Sequence, residues 1–375
     1  MVEIELKFQI SEARRTALLK ALDPKKSETI QLQAKYFDTP DRLLAQHGAA
    51  LRQRLEGTRW IQTLKAAGKS HLHRFEHNHN LGELESSPEL DLSIYQAIPE
   101  AQQILTQALG SDAAALKLTF ETDIQRTYRV IQFEDAEIEV CLDVGVVRAS
   151  GREQTIHEVE FELKSGSVQS LLAFSFEWVK KYQLWLDVRS KAEMGNLLAL
   201  EQTVSPARFE KEFVLSKKES AAHNLSLLIG QQMQHLLPNI AAISAGVAEQ
   251  SHIDQAQTAL EHLQLTLALF KDWNSNISDK WAMQLAAFKH QFDHLQHLQH
   301  MQSTLGAFLQ NPTTTENLAK DILYAQEKLG NLVKSTQNVH HYLELLTFSL
   351  SSHDQVQKQD LKTYAHNTLQ NQYRQ

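Results

Sequence analysis

Up to about residue 165 the apolar positions recur with a period of two, and the chain reads as a run of short strands. The segments are Val2 to Gln9, Thr29 to Asp38, Ala49 to Glu56, Trp60 to Ala66, His71 to His79, Lys117 to Phe133, Glu137 to Asp143 and His157 to Lys164. Many are joined by turn-like stretches such as Glu56-Gly57-Thr58 and Ala67-Gly68-Lys69-Ser70, which makes neighbouring strands antiparallel. Helical spacing interrupts them at Ser11 to Leu22, with Ser11 as N-cap, at Pro99 to Leu109, and at Val168 to Tyr182 after Gly166. From Phe213 onward the step changes to three and four, as in Leu260, Leu263, Leu267 and Phe270, or Leu329, Leu332, Val333 and Thr336. Breaks at Pro238, Asn274 to Ser278, Asn311-Pro312 and Ser349 to His353 divide this part into roughly five helices. The pattern therefore predicts an α+β unit over residues 1–204 and an all-α bundle over 205–375.

Within the first strand, Val2, Ile4, Leu6 and Phe8 share one face and Glu3, Glu5 and Lys7 the other. One such strand is an ordinary antiparallel strand with a wet face. The pattern repeats, however, in Arg52 and Arg54, in Glu137, Glu139 and Asp143, and in Glu158, Glu160, Glu162 and Lys164. A solvated sheet face mixes polar types and pairs opposite charges across strands. Here the charges segregate by strand, as they would around an enclosed cavity that holds a large anion together with cations. About eight strands suffice to close a small barrel with a usable lumen, its apolar faces turned outward beneath helices. A polyanion facing these carboxylates directly would cost on the order of 4 kcal/mol per like-charge pair at ~4 Å and an effective dielectric of about 20. A bridging Mg²⁺ or Mn²⁺, hard ions that take oxygen ligands and substrate phosphates, removes that repulsion. Arg52 and Arg54 would then clamp phosphate oxygens bidentately, with Lys7, Lys65 and Lys191 as point charges.

Composition narrows the classes. A chain of 375 residues with 42% hydrophobic and 22% charged side chains is globular and too long for one core, which agrees with two units. A net charge of −8 argues against broad nucleic-acid binding. The single cysteine, Cys141, excludes an intrachain disulfide and a thiolate metal cage, as expected of a reducing compartment, the cytoplasm by default. No apolar run reaches the length of about eighteen residues that a membrane span needs. The 13 glycines are scattered and form no phosphate loop or dinucleotide fingerprint.

The leading Glu3-Ile4-Glu5-Leu6-Lys7 is similar to the Glu-x-Glu-x-Lys signature of the CYTH family, the triphosphate tunnel metalloenzymes. Tyr36 to Asp41, Gly48 to Arg54, Trp60 to Lys65, Arg74 with Glu76, Gln125-Arg126, Glu137 to Asp143, Glu158 to Gly166 and Ser190-Lys191 follow in the family's order, so the resemblance covers about residues 1–200. It implies a closed, eight-stranded antiparallel tunnel that binds a triphosphate-bearing small molecule with Mg²⁺ or Mn²⁺. Position by position, it makes Glu3, Glu5, Glu158, Glu160 and Glu162 metal-site residues, with Glu3, Glu5 and Lys7 catalytic. It makes Lys7, Arg52, Arg54, Lys65, Arg126 and Lys191 phosphate binders, with Arg74 and Arg129 of second rank, although Arg129 has opposite parity to Arg126. Glu76, Glu137, Glu139 and Asp143 match further acidic lining positions.

The implied activity is metal-dependent hydrolysis of inorganic triphosphate to pyrophosphate and phosphate. The same fold also serves thiamine-triphosphate hydrolases and adenylyl cyclases. A non-catalytic polyphosphate or nucleotide sensor is the reading from another class, and the acidic positions argue against it because a binder gains little from glutamates. The C-terminal half resembles, more loosely, a CHAD domain. From residue 221 onward it holds nine Lys or Arg against twelve Asp or Glu, with Arg374 its one arginine, so a scaffold or protein-contact role is expected in place of polyphosphate binding. His290, His294 and His297 read as a solvated stripe, and His71, His73, His77 and His79 as an exposed strand face or tunnel rim. Parity aims Cys141 into the tunnel as a small hydrophobe, and Trp178, Trp185, Trp273 and Trp281 read as packing residues.

Overall fold

The structure is a computed structural model that describes residues 2–68, 72–110, 112–212, 215, 218–271, 275–305, 308 and 312–350. The predicted positions Lys69, Ser70, His71, Phe213, Trp273, Asn274, Asn311, residues 351–353 and Arg374 lie outside the described residues. The chain divides into two compact units, Met1–Ser205 and Pro206–Gln375.

In the first unit the strands are β1 (Val2–Gln9), β2 (Glu28–Asp38), β3 (Ala49–Glu56), β4 (Arg59–Ala67), β5 (His73–Glu83), β6 (Lys117–Phe133), β7 (Ala136–Ala149), β8 (Arg152–Ser165) and the two-residue β9 (Trp185–Leu186). Their order is β5-β4-β3-β2-β6-β7-β8-β1-β9, and β1 also pairs with β5, so eight antiparallel strands close into a barrel with β9 as a further strand. Bulges between Tyr36 and Phe37, Trp60 and Ile61, and Glu137 and Ile138 relieve the twist that closure imposes. Helices α1 (Glu12–Ala21), α2 (Leu43–Gln46), α3 (Pro99–Leu109), α4 (Val168–Tyr182) and α5 (Lys191–Ala199) surround or enter it.

On β1, β3, β4, β5 and β8 the apolar parity packs outward, as the period predicts. Leu51, Leu64, Ala66 and Phe75 lie beneath Tyr95 and the Ala101, Ala108 and Leu109 side chains of α3. Phe161 packs on Phe8 and meets Phe174 and Trp178 of α4, with ring centroids 5.0–5.6 Å apart. Two outer-face positions are polar yet fully buried, Gln53 and Gln62. Their amides donate to the Glu89 carbonyl at 3.1 Å and the Asp91 carbonyl at 2.6 Å, so the 84–95 segment is strapped over the sheet at no cost in unpaired groups. His73 faces outward opposite Ile4, and His77 and His79 share that face opposite Leu64 and Gln62.

The interior departs from a uniformly charged lumen. Leu32, Ala34 and Tyr36 of β2, Phe120 and Ile124 of β6, Val147 and Ala149 of β7 and Ile156 of β8 share the inner parity with the charges, and Met194 of α5 packs among them. Helix α5 thus occupies part of the interior. Its approach depends on Gly195, where a Cβ would overlap the Phe120 ring. Phe120 is buried and stacked on Tyr36 with centroids 4.4 Å apart, so it has little room to yield. Gly195→Ala is therefore expected to lower stability by about 1–3 kcal/mol through overpacking, measured by urea unfolding.

The second unit comprises, among the described residues, α6 (Ala221–Ser244), α7 (Gln250–Leu269), α8 (Ser275–Leu305), α9 (Pro312–Val333) and α10 (Thr336–Leu350). Helix α6 packs on α7 and α10, α7 on α8, and α8 on α9. Pro238 does not end a helix as predicted but sits inside α6, where the ring removes one intrahelical bond. The flanking Leu236, Leu237, Ile240, Ala241 and Ile243 are all buried, and that burial outweighs the local penalty. The break falls instead at Gly246, whose φ of +72° suits glycine. A second break at Lys334-Ser335 precedes Thr336, which the periodicity had placed within a helix. His290, His294 and His297 are exposed on α8, as a solvated stripe should be.

Candidate active site

Strand register assigns each candidate to a face, because residues paired across an antiparallel ladder project to the same side. Glu3 lies opposite Arg74, Glu5 opposite Glu162, Lys7 opposite Glu160 and Gln9 opposite Glu158. Continuing across β8 and β7, Glu162 meets Glu139, Glu160 meets Cys141 and Glu158 meets Asp143. Asp143 then meets Arg126 on β6. On the other side Lys65 lies opposite Glu76, and Arg52 opposite Tyr36. These residues line one inner face. Cys141 is buried there, whereas Arg129 pairs with Val140 on the outer face and donates to the Leu22 carbonyl at 3.5 Å. Glu137 keeps the parity of Glu139 but lies at the start of β7, exposed and accepting from the Ser165 hydroxyl at 3.0 Å, away from the charged cluster.

The charges form two linked groups. In one, the Lys191 ammonium lies 2.7 Å from Asp143 and 2.9 Å from Glu160 and also contacts Glu158. The Arg126 guanidinium forks onto Asp143 at 2.6–2.7 Å and reaches Glu160, while Lys7 stands 3.8 Å from Glu158. In the other, Lys65 bridges Glu3 at 2.7 Å and Glu76 at 2.9 Å, Arg52 stands 3.9 Å from Glu76, and Arg74 pairs with Glu5 at 3.2 Å. Arg54 pairs with Glu56, and Lys164 holds Glu162 at 2.9 Å and Glu139 at 3.8 Å towards a more exposed part of the strands.

Burial and charge compete at every one of these groups. Burial raises the Glu160 carboxyl, but Lys191 and Arg126 more than offset this and hold it well below the usual carboxylate range. Asp143 is likewise buried yet lowered by Arg126 and Lys191. For Glu158 burial wins over Lys191 and Lys7, and its carboxyl is raised. Burial also pushes Glu3 up to about 8 against the pull of Lys65, with Glu76 adding to the rise. The Tyr36 hydroxyl is buried, yet Arg52, 3.5 Å away, leads the cationic field that draws its pKa down.

Among the described residues, Asp143, Glu158 and Glu160 form the group of three carboxylates whose oxygens all lie within 4.8 Å of one another. Glu3, Glu5 and Glu162 face inward but lie outside that group, each held in an ion pair of its own. Asp143, ranked as lining from sequence, is thus a closer partner of Glu158 and Glu160 than they are. The sequence reading also missed Asp187 and Arg189. Asp187 follows two-residue β9, a strand too short to register as a period, and its signal is only an Asp-x-Arg spacing before the Ser190 N-cap.

Residues 1–194 match the CYTH domain family, and the chain belongs to it. An inorganic triphosphatase of Haemophilus influenzae is 33% identical over 227 residues, which are 59% of this chain and 62% of that protein. The chain thus spans less than two thirds of the length of this curated relative. Among solved structures, the Hippeastrum protein HpAC1, described as revealing a dominant triphosphatase activity, is 17% identical over 54% of this chain and 97% of its own, with a TM-score of 0.39. The inorganic triphosphatase NE1496 is 16% identical over 46% of this chain and 79% of its own, with a TM-score of 0.20. No described helix is long and apolar enough to cross a membrane.

Proposed function

We propose that the barrel hydrolyses inorganic triphosphate to pyrophosphate and phosphate in its charged interior. The observation that carries this reading is the convergence of Lys7, Arg126 and Lys191 on Asp143, Glu158 and Glu160 inside a closed barrel. Buried ion pairs are poor stabilisers, since apolar residues of similar volume serve the fold as well or better. A set of this size therefore points to an anionic ligand and its counter-ion. The 33% identity to an inorganic triphosphatase supports the choice of substrate.

The donor set fits a hard divalent cation. Asp143, Glu158 and Glu160 supply only oxygen, and Oε2 of buried Glu158 has no hydrogen-bond partner among the described residues. These three residues would hold Mg²⁺ or Mn²⁺, which when bound supplies charge neutralisation at phosphoryl oxygens. Arg52 and Arg54 bind phosphate oxygens through planar forks, and Lys7, Lys65, Arg126 and Lys191 neutralise the charge that develops on the leaving pyrophosphate. Glu3 and Glu5 orient the attacking water towards the terminal phosphorus, with Arg74 holding Glu5 in place. Cys141, buried and free, suits a reducing compartment such as the cytoplasm. The helical unit acts as a scaffold or contact surface.

The test is phosphate release from inorganic triphosphate, ATP, thiamine triphosphate and long-chain polyphosphate, with Mg²⁺, Mn²⁺ or chelator. Inorganic triphosphate is expected to turn over fastest, and chelator to abolish release. Preference for ATP or thiamine triphosphate would reassign the substrate, and tight triphosphate binding without turnover would make the barrel a sensor.

A further inference from the structure

We infer that Asp187 is a positioning residue that sets two of the cations in this site, Lys7 and Lys191, through a single buckle between β9 and α5. The inference rests on the triphosphatase reading for its kinetic consequence, but its geometry stands apart from it.

The buckle grows from strand pairing. β9 lies on the edge of β1, with Trp185 opposite Gln9 and Leu186 opposite Phe8. The ladder runs one residue further, since the Asp187 amide donates to the Lys7 carbonyl at 3.1 Å. Asp187 is 1% exposed, and a buried carboxylate must find donors or forfeit its charge. It finds three of them two residues on. The Arg189 amide donates to Oδ1 at 3.0 Å, closing an Asx turn, and the Arg189 guanidinium forks onto the same carboxylate at 3.0 and 2.7 Å.

This knot fixes the direction of the Arg189 carbonyl, which accepts from the Lys7 ammonium. The next residue, Ser190, caps α5 by accepting from the Glu193 amide at 3.0 Å, and Lys191 is the first helical residue. One side of the buckle thus holds the Lys7 ammonium beside Glu158, and the other launches Lys191 towards Asp143, Glu158 and Glu160. Asp187 touches none of the proposed reacting atoms, so its effect passes through the two lysines. Without its carboxylate the Arg189 guanidinium loses its partner, the turn opens, and both ammonium groups lose their fixed placement.

The experiment compares Asp187→Ala and Asp187→Asn with the wild-type full chain. Asp187→Ala is expected to lower kcat/KM for inorganic triphosphate by about 10- to 100-fold, the range typical of groups that orient a site's ligands, with KM rising because both lysines bind substrate. Asp187→Asn keeps the acceptor for the Arg189 amide but loses the charged fork, and an intermediate loss is expected. Independently of activity, reductive methylation read by mass spectrometry is expected to label Lys7 and Lys191 faster in both variants, with Lys35 and Lys164 unchanged as internal controls. A structural defect alone would raise all four together. Unchanged kinetics and unchanged Lys7 and Lys191 labelling in a folded variant would overturn the inference. If Asp187→Ala does not fold, the Asp187→Asn arm decides by the same readouts. If the wild-type protein does not hydrolyse triphosphate, the labelling arm still decides the geometry, so the two failures are told apart.

Discussion

Lys191→Ala is expected to lower turnover of inorganic triphosphate by about 10²- to 10³-fold, the usual consequence of deleting one preorganised charge from a water-poor site. The Lys191 ammonium contacts three carboxylates on two strands, Asp143 on β7 and Glu158 and Glu160 on β8. It belongs to α5, so the same deletion also unfastens the interior helix from the strands it crosses. Burial opposes the ammonium, but the three carboxylates outweigh it and raise its pKa well above the ordinary lysine range. It is therefore charged at every pH at which the protein works. Glu160 and Asp143, held low in the folded protein, contribute stability that is present above the ordinary carboxylate pKa and lost as pH falls through their depressed values. Deleting Lys191 removes part of that depression, so the variant is expected to lose less stability on acidification than wild type. Steady-state phosphate release and urea unfolding at neutral and acid pH check the two halves. A folded Lys191→Ala protein with wild-type turnover would remove Lys191 from the site.

The second expectation concerns the helical unit and acid. His341 on α10 is 2% exposed, and neither ring nitrogen has a hydrogen-bond partner among the described residues. Burial lowers its pKa to about 4 from an ordinary value of 6.5; Glu344 pulls it up and Lys280 pushes it down. The unfolded chain therefore takes up this proton first. Stability is unaffected above pH 6.5 and falls as pH drops from 6.5 towards 4, at about 1.36 kcal/mol per unit, or about 3 kcal/mol in all. His341→Leu preserves apolar bulk and removes the linkage. Carboxylates titrate in both proteins, so the difference between them isolates His341. Amide exchange in α6 and α10 is expected to quicken between pH 7 and 4 far more in wild type than in the variant, and parallel pH profiles would refute the assignment.

The barrel was legible because the strands beneath α3 and α4 are apolar at every second residue on their outer face, which burial beneath those helices requires. Its closure followed from charges too pure for a solvated face. Less legible was the interior helix. Leu32, Phe120 and Val147 share parity with Arg54, Arg126 and Asp143, and period alone cannot tell an inner apolar patch from a local exception to an outer one. Parity likewise placed Cys141 inward and separated Arg126 from Arg129, but parity says nothing of depth, and Glu137, at the start of β7, lies beyond the cluster. The grouping of Asp143 with Glu158 and Glu160 depends on cross-strand register, which no one strand encodes. Pro238 misled because a proline's local penalty is visible in sequence, whereas the burial that offsets it is not.

The stave that seals the barrel precedes each of its partners in the chain. β1 is held by β5 along residues 2–4, by β8 along residues 5–9 and by β9 at residues 8–9. Its main partner, Glu158 to Glu162, therefore leaves the ribosome roughly ten to thirty seconds after it at ordinary elongation rates. Until then the N-terminal strand has an unpaired edge. Glu3, Glu5 and Lys7, charged at every second position along Val2–Gln9, make that waiting edge costly to desolvate against other chains, a protection that serves synthesis before it serves chemistry.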